Sequence, residues 1–203
     1  MNWQLFTAFL LITMVLILTP GPIVTLVIAT GASRGVRAAL VTVAGTSSGN
    51  AALLATIAFG LDWILVNALY VFEVLRWCGA AYLIWLGVKV WRGAGRKVTP
   101  VTNRHIDFWR GFLVALSNPK TIAFFTAFLP QFIDPHRSVE YQLAVMCVVS
   151  VVLAGVMDSG WAIAAGLGRT WFLKPSRTRL LGRVSGLTLI GGGIWLSLSR
   201  RTA

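Results

Sequence analysis

From Tyr141 to Leu167 the chain carries a single charged residue, Asp158, among side chains that are otherwise mostly apolar or small. A run of that length constrains the fold more than any other feature. A hydrocarbon core about 30 Å thick takes roughly 20 apolar residues per helical crossing. Five further stretches read the same way: Trp3 to Gly31, Val36 to Leu61, Ala68 to Trp91, Gly111 to Ile133 and Val184 to Leu198. The apolar runs are continuous rather than alternating, which argues against a strand barrel. Hydrophobic residues make up 57% of the chain and charged ones 12%, against about 50% and 25% in soluble domains. The expectation is an all-α integral membrane protein of six transmembrane helices. The start, MNWQLF, has no basic segment and no small-residue cleavage site, so the first stretch is read as a retained helix.

The formal net charge is +12, yet its distribution does not suit nucleic acid. The basic residues lie in short loops between apolar stretches, with no extended aromatic and basic surface. Arg34 and Arg37 follow the first crossing, and Lys89, Arg92, Arg96, Lys97, Arg104 and Arg110 follow the third. Arg169, Lys174, Arg177, Arg179 and Arg183 follow the fifth. The even loops hold Asp62, Glu73, Asp134 and Glu140, with only Arg76 and Arg137 against them. Positive loops stay cytoplasmic, so residues 32–35, 92–110 and 168–183 are expected inside and both termini outside. Arg200 and Arg201 run against that assignment.

Three pairs of segments recur in the same order and at similar separations. Pro20 in the first crossing corresponds to Pro119 in the fourth, and TSSGN (46–50) to MDSGW (157–161). In the third and sixth crossings WCGAAYLIWLG (77–87) corresponds to VSGLTLIGGGI (184–194). A unit of three crossings, repeated once, inserts its second copy upside down. The chain therefore divides into a first triplet over 1–91, a basic linker over 92–110 and a second triplet over 111–203.

Proline in a helix interior costs about 3 kcal/mol, so two prolines in the middle of crossings ask for a reason. Thr19-Pro20-Gly21-Pro22 and Ser117-Asn118-Pro119-Lys120 both read as helix starts at mid-membrane, because Thr and Asn favour the N-cap and Pro the first helical position. Unpaired N–H groups at that depth survive only inside protein or beside a water-filled cavity, and helix N-termini attract anions. Thr19, Pro20, Gly21, Pro22, Asn118, Pro119 and Lys120 are thus candidate binding residues for an anionic group, with Lys120 adding a full charge. A kink repaired by neighbouring side chains is the plainer alternative. Asp158 costs about 2.5–3.5 kcal/mol at a helix centre; it is read as holding a substrate ammonium or exchanging a proton, or else as the partner of Lys120. Ser48 and Asn50, with Ser47 beside them, either contact substrate or hydrogen-bond between helices. Gly45 and Gly49 are read as a small face for close packing.

The chain resembles the LysE/RhtB family of amino-acid exporters over nearly its whole length. TPGP (19–22), GAAYLIWLG (79–87) and NPKTIAFFTAFLPQF (118–132) carry the resemblance, with GLTLIGGGIWL (186–196) as a looser match. It implies a small bacterial inner-membrane exporter of amino acids, driven by the proton gradient, with Pro20, Gly21, Pro22, Asn118, Pro119 and Lys120 in the transport core. Asp158 resembles an acidic position found in many members. No cofactor and no enzyme activity is implied; the partners are an amino acid, protons and the bilayer, with homo-oligomers left open. Two rivals are weighed. A metal-ion exporter wants several carboxylates, His or Cys in the membrane, whereas His105 and His136 lie in loops. A thiol–disulfide electron carrier wants two cysteines at the broken helices, and Cys78 and Cys147 lie elsewhere.

Overall fold

The computed structural model describes residues 1–67, 69–94, 107–172 and 174–198, excepting the side chains of 61–73 and 75. Arg96, Lys97, Arg104, His105, Arg200 and Arg201 lie outside the described residues, as do the side chains of Asp62, Trp63 and Glu73. Every regular element among the described residues is helical.

The first apolar stretch is two helices, α1 (Trp3–Leu18) and α2 (Pro22–Arg34), bent by 46° at Thr19–Gly21. The stretch after the linker repeats the pattern as α5 (Asp107–Leu116) and α6 (Pro119–Phe128), bent by 41°, with a 3-10 turn over Leu129–Phe132. Between them run α3 (Val36–Asn67) and α4 (Leu69–Arg92). After the second broken pair come α7 (Val139–Leu167), the short α8 (Arg169–Phe172) and α9 (Pro175–Leu198). Among the described residues three helices are long and apolar enough to cross a membrane: Val36–Gly60 of α3, α7 and α9. Counting each bent pair as one span raises this to five.

Local sequence explains the ends. Asn2 caps α1, its side chain accepting from the N–H groups of Gln4 and Leu5 at 3.1 and 3.4 Å. Ser138 caps α7 by accepting from Tyr141 N–H at 3.3 Å. Gly35 ends α2 at φ 90°, a backbone that glycine adopts without strain. Two boundaries depart from expectation. Asp107 begins α5, ahead of the crossing read from Gly111. The last helix begins at Pro175 rather than Val184. Proline suits the first turn, and the arginines at 177 and 179 stay exposed along it.

Packing relies on close backbone approach. A Cβ on Gly45 or Gly49 of α3 would strike the carbonyls of Phe108 or Phe112 of α5, and one on Gly111 would strike Thr42. The small face read from the sequence is therefore the seat of α5. α4 and α9 meet in the same way, a Cβ on either Gly87 or Gly186 lying 2.7 Å from the other's carbonyl oxygen. α7 completes the centre by packing along both α2 and α3. On the odd-loop side Arg34 Nη1 donates to Asp107 Oδ1 at 2.5 Å. Arg169 donates to the carbonyls of Ala32 and Ser33 at 2.6 Å each, which satisfies the end of α2.

Candidate functional site

Both breaks face one small cavity of about 50 Å³. Its walls come from α1 and α2 (Leu16, Ile17, Gly21, Ile23, Val24), α3 (Asn50, Leu54), α6 with its cap (Asn118, Lys120, Thr121, Phe125) and α7 (Ser150, Ala154, Asp158). Four segments far apart in sequence thus converge at the two broken helices.

The second break is built as its residues predict. Asn118 caps α6, its Oδ1 accepting from Lys120 N–H at 3.2 Å, and Pro119 takes the first helical position. Asn118 Nδ2 donates to Thr121 Oγ1 at 2.8 Å, which holds the cap in place. The first break is built differently, and the reading of Thr19 as an N-cap is corrected. Thr19 closes α1: its hydroxyl donates to the Val15 carbonyl at 2.6 Å, and its N–H to the carbonyls of Val15 and Leu16. That bond back to the preceding turn commits the side chain to α1. Gly21 precedes α2 with no side-chain cap, and Pro22 is at the first position. Consequently the N–H groups of Ile23 and Val24, like that of Thr121 on α6, have no partner among the described residues.

Lys120 is 5% exposed and does not point its charge into open space. Its ammonium crosses to α1 and donates to the carbonyls of Leu16 and Thr19, at 2.6 Å each. Asp158 is 3% exposed and lines the same cavity, within electrostatic reach of Lys120. The two form no direct ion pair, and the Asp158 carboxylate has no hydrogen bond to a described residue. Asn50 Oδ1 is likewise buried without a hydrogen-bond partner. Such an acceptor, left unmade, costs about 1–3 kcal/mol. The cavity lining therefore includes helix N-terminal residues whose N–H groups lack partners and side-chain acceptors that lack donors.

Gly21, Asn50, Asn118, Lys120 and Asp158 line this one cavity. Thr19 touches the site through its carbonyl. Pro20 and Pro22 line a neighbouring groove of about 470 Å³ that also takes in Lys89, Ala94, Thr178 and Gly182, and that meets the cavity at Gly21. Pro119 faces a different groove, beside Cys78 and Tyr82. Ser48 is exposed and donates to the Ala44 carbonyl at 2.9 Å, away from the cavity. Ser150, Leu54 and Thr121 also belong to the wall, beyond the candidate residues that the sequence marks. Their signal was helical spacing: Ser150, Ala154 and Asp158 follow each other at i, i+4, i+8, and Leu54 follows Asn50 at i+4.

Phe125 of the cavity wall belongs to a cluster of rings that extends toward the 133–138 loop. Phe9 meets Phe125 and Phe132 edge-on at 6.5 and 5.7 Å, and Phe124 stacks on Phe128 at 4.6 Å. Trp161 packs edge-on against Phe172 at 6.2 Å, outside the cavity wall. Neither Cys78 nor Cys147 lines the cavity, and the described residues contain no cluster of three metal-ligating side chains.

A bundle with two helices broken around a charged centre is a carrier's architecture, and sequence comparison settles which one. A family model described as LysE type translocator matches residues 14–200. The chain belongs to the LysE-type translocator family. It is similar to the homoserine/homoserine lactone efflux protein of Salmonella typhimurium, at 32% identity over 98% of this chain and 99% of that protein. It is similar to an uncharacterized membrane protein of Vibrio cholerae, at 30% identity over 98% and 100%. The leucine efflux protein of an Enterobacter species is 27% identical over 87% of each chain. No solved structure matches. A LysE-type translocator moves its cargo and is not an enzyme. The family resemblance read from TPGP, GAAYLIWLG and NPKTIAFFTAFLPQF holds across nearly the whole chain.

Proposed function

We propose that this LysE-type translocator exports an amino acid from the cytoplasm through the cavity at the two broken helices. The observation that carries the reading is the presence of both unpartnered donors and unpartnered acceptors among the residues of that lining. Ile23, Val24 and Thr121, whose N–H groups are unpartnered among the described residues, line it at two helix N-termini, which suits a carboxylate. Asp158 and Asn50 Oδ1 present acceptors without donors, which suits an ammonium. An amino acid carries both groups.

Charge narrows the cargo. The described lining holds one lysine and one aspartate, so a zwitterion leaves the site balanced. A cationic side chain would have no second carboxylate there. The cargo is therefore an amino acid with an uncharged side chain, in keeping with relatives named for homoserine and leucine efflux. The cavity's 50 Å³ holds a few waters, while a ligand pocket takes about 300–1,000 Å³. Loading thus requires the helices to part.

The parting motion proposed is alternating access by two inverted triplets of crossings. Its support is the pairing of α3 with α7 and of α4 with α9, the contacts that an internal two-fold makes between equivalent helices. With the basic loops cytoplasmic, the groove along Pro20–Pro22 is the inner approach, and the Phe9, Phe125 and Phe132 cluster is the outer closure. Asp158 carries the coupling proton, which competes with the substrate ammonium and favours release outside.

The test is efflux from proteoliposomes loaded with a mixture of the common amino acids, homoserine included, under an imposed pH gradient. Selective loss of neutral amino acids is expected. Retention of every amino acid by folded protein removes the reading, and loss of lysine or arginine alone removes the charge argument.

A further inference from the structure

We infer that the broken end of α1 is itself a binding site for a primary ammonium, and that Lys120 is its built-in occupant. The carbonyls of Leu16 and Thr19 converge where α1 stops, and the end of a helix carries about half a negative charge. Carbonyls at such mid-membrane breaks take cations in carriers built this way. Here the cation arrives from the other half of the chain. Lys120 belongs to α6, and its ammonium completes two bonds of 2.6 Å to carbonyls of α1.

The seat is shaped for that side chain. Lys120 is buried, and its stem runs past Gly21, where a Cβ would lie 3.0 Å from Lys120 Cδ and 3.4 Å from Nζ. Two of the three ammonium donors are used by carbonyls, so in this state Lys120 is a tie between the broken helices. The ammonium also lies within electrostatic reach of Asp158. A tethered cation at this position does what a co-transported metal cation would do: it neutralises the negative end of α1 and couples α1 to α6. The inference concerns acceptors at the same cavity other than Asp158 and Asn50, and rests on the transport reading only for its use in a cycle.

Lys120→Ala removes the equivalent of n-propylammonium and leaves its space. The experiment is thermal unfolding of detergent-purified Lys120→Ala with n-propylammonium chloride, tetramethylammonium chloride or sodium chloride at equal ionic strength. n-Propylammonium is expected to raise Tm by several degrees in the variant and to leave the unmodified chain unchanged; tetramethylammonium, which donates no hydrogen bond, is expected to have no effect. Equal responses to all three salts, in a variant that remains monodisperse, overturn the site. A response to sodium alone overturns its assignment to ammonium. Should Lys120→Ala not fold, the unmodified chain labelled with 15N-lysine supplies the readout: a Lys120 ammonium signal protected from solvent exchange is expected, and a freely exchanging one overturns the inference. Neither measurement involves transport, so failure here and failure of amino-acid export are distinguishable.

Discussion

Gly21 makes room for Lys120. The two residues belong to different broken helices, and a single methyl group at position 21 would press on the lysine stem at 3.0 Å. The backbone at Gly21, φ −130° and ψ −165°, is extended and open to any residue. The glycine is there for space, not for conformation.

Gly21→Ala is accordingly expected to fold and to transport poorly. Displacing the ammonium from the Leu16 and Thr19 carbonyls weakens two charge-assisted bonds, worth about 1.5–3 kcal/mol each at most. A loss of roughly tenfold in export rate, about 1.4 kcal/mol, is expected with Tm within a few degrees of the unmodified chain. Full export by Gly21→Ala would falsify the spatial argument.

Asp158→Asn keeps the shape of the side chain and removes its charge. In the unmodified chain, export is expected to rise with an inward proton gradient. In the variant it is expected to fall at least tenfold, about 1.4 kcal/mol, and to stop responding to the gradient. Proteoliposomes held at equal and unequal pH make the comparison. An unchanged rate and an unchanged pH response would take proton coupling away from Asp158.

Asn50→Leu separates binding from stability. Its Oδ1 is buried without a hydrogen-bond partner, so replacing it removes a cost of about 1–3 kcal/mol. Tm is expected to hold or rise, while KM for the exported amino acid rises about tenfold. A large drop in Tm instead would mean that Asn50 serves helix packing.

The packing of α3 on α5 gives a paired test. A side chain at Gly49 would meet the Phe112 carbonyl directly, whereas one at Gly160 meets nothing within 4 Å. Gly49→Val is expected to cost about 1–3 kcal/mol or more through forced separation of the helices. Gly160→Ala should be neutral or mildly stabilising, since alanine favours helix over glycine by about 1 kcal/mol. Denaturation in mixed micelles ranks the two, and equal losses would mean that close approach is not what Gly49 supplies.

Asp134, outside the membrane in the 133–138 loop, keeps its charge well into acid. The N–H of His136 donates to its Oδ1 at 3.0 Å, and Arg137 lies 3.3 Å from Oδ2; together they hold its carboxyl below the usual 3.8. A carboxylate shifted downward contributes stability above its unfolded pKa, and loses it only as pH falls through the folded one. Between pH 5 and 8 the export profile of Asp134→Asn should therefore overlay that of the unmodified chain. Carboxyl-carbon NMR of labelled Asp134 checks the titration itself, and a midpoint above 3.8 would contradict it.

Much of this architecture is written locally. Apolar run length is a property of consecutive residues, and a bilayer reads it as such, so α3, α7 and α9 are visible before any folding is considered. The breaks at Pro20 and Pro119 are equally local, because proline removes a hydrogen bond wherever it stands. Asn118 caps α6 for the same reason. Family membership follows from the order of short motifs that need no third dimension.

What tertiary structure decided is where each group at those breaks points. Thr19 sits before a proline as an N-cap would, yet its hydroxyl bonds backward to Val15 and closes α1. Ser48 and Asn50 are two apart on α3, and that spacing places them on different faces, so only Asn50 reaches the cavity. Lys120 looked like a charge offered to an anion; its partners are carbonyls of Leu16 and Thr19, on the other broken pair of helices. Which acceptors an ammonium meets depends on how the two broken helices pack, and only the folded chain determines that.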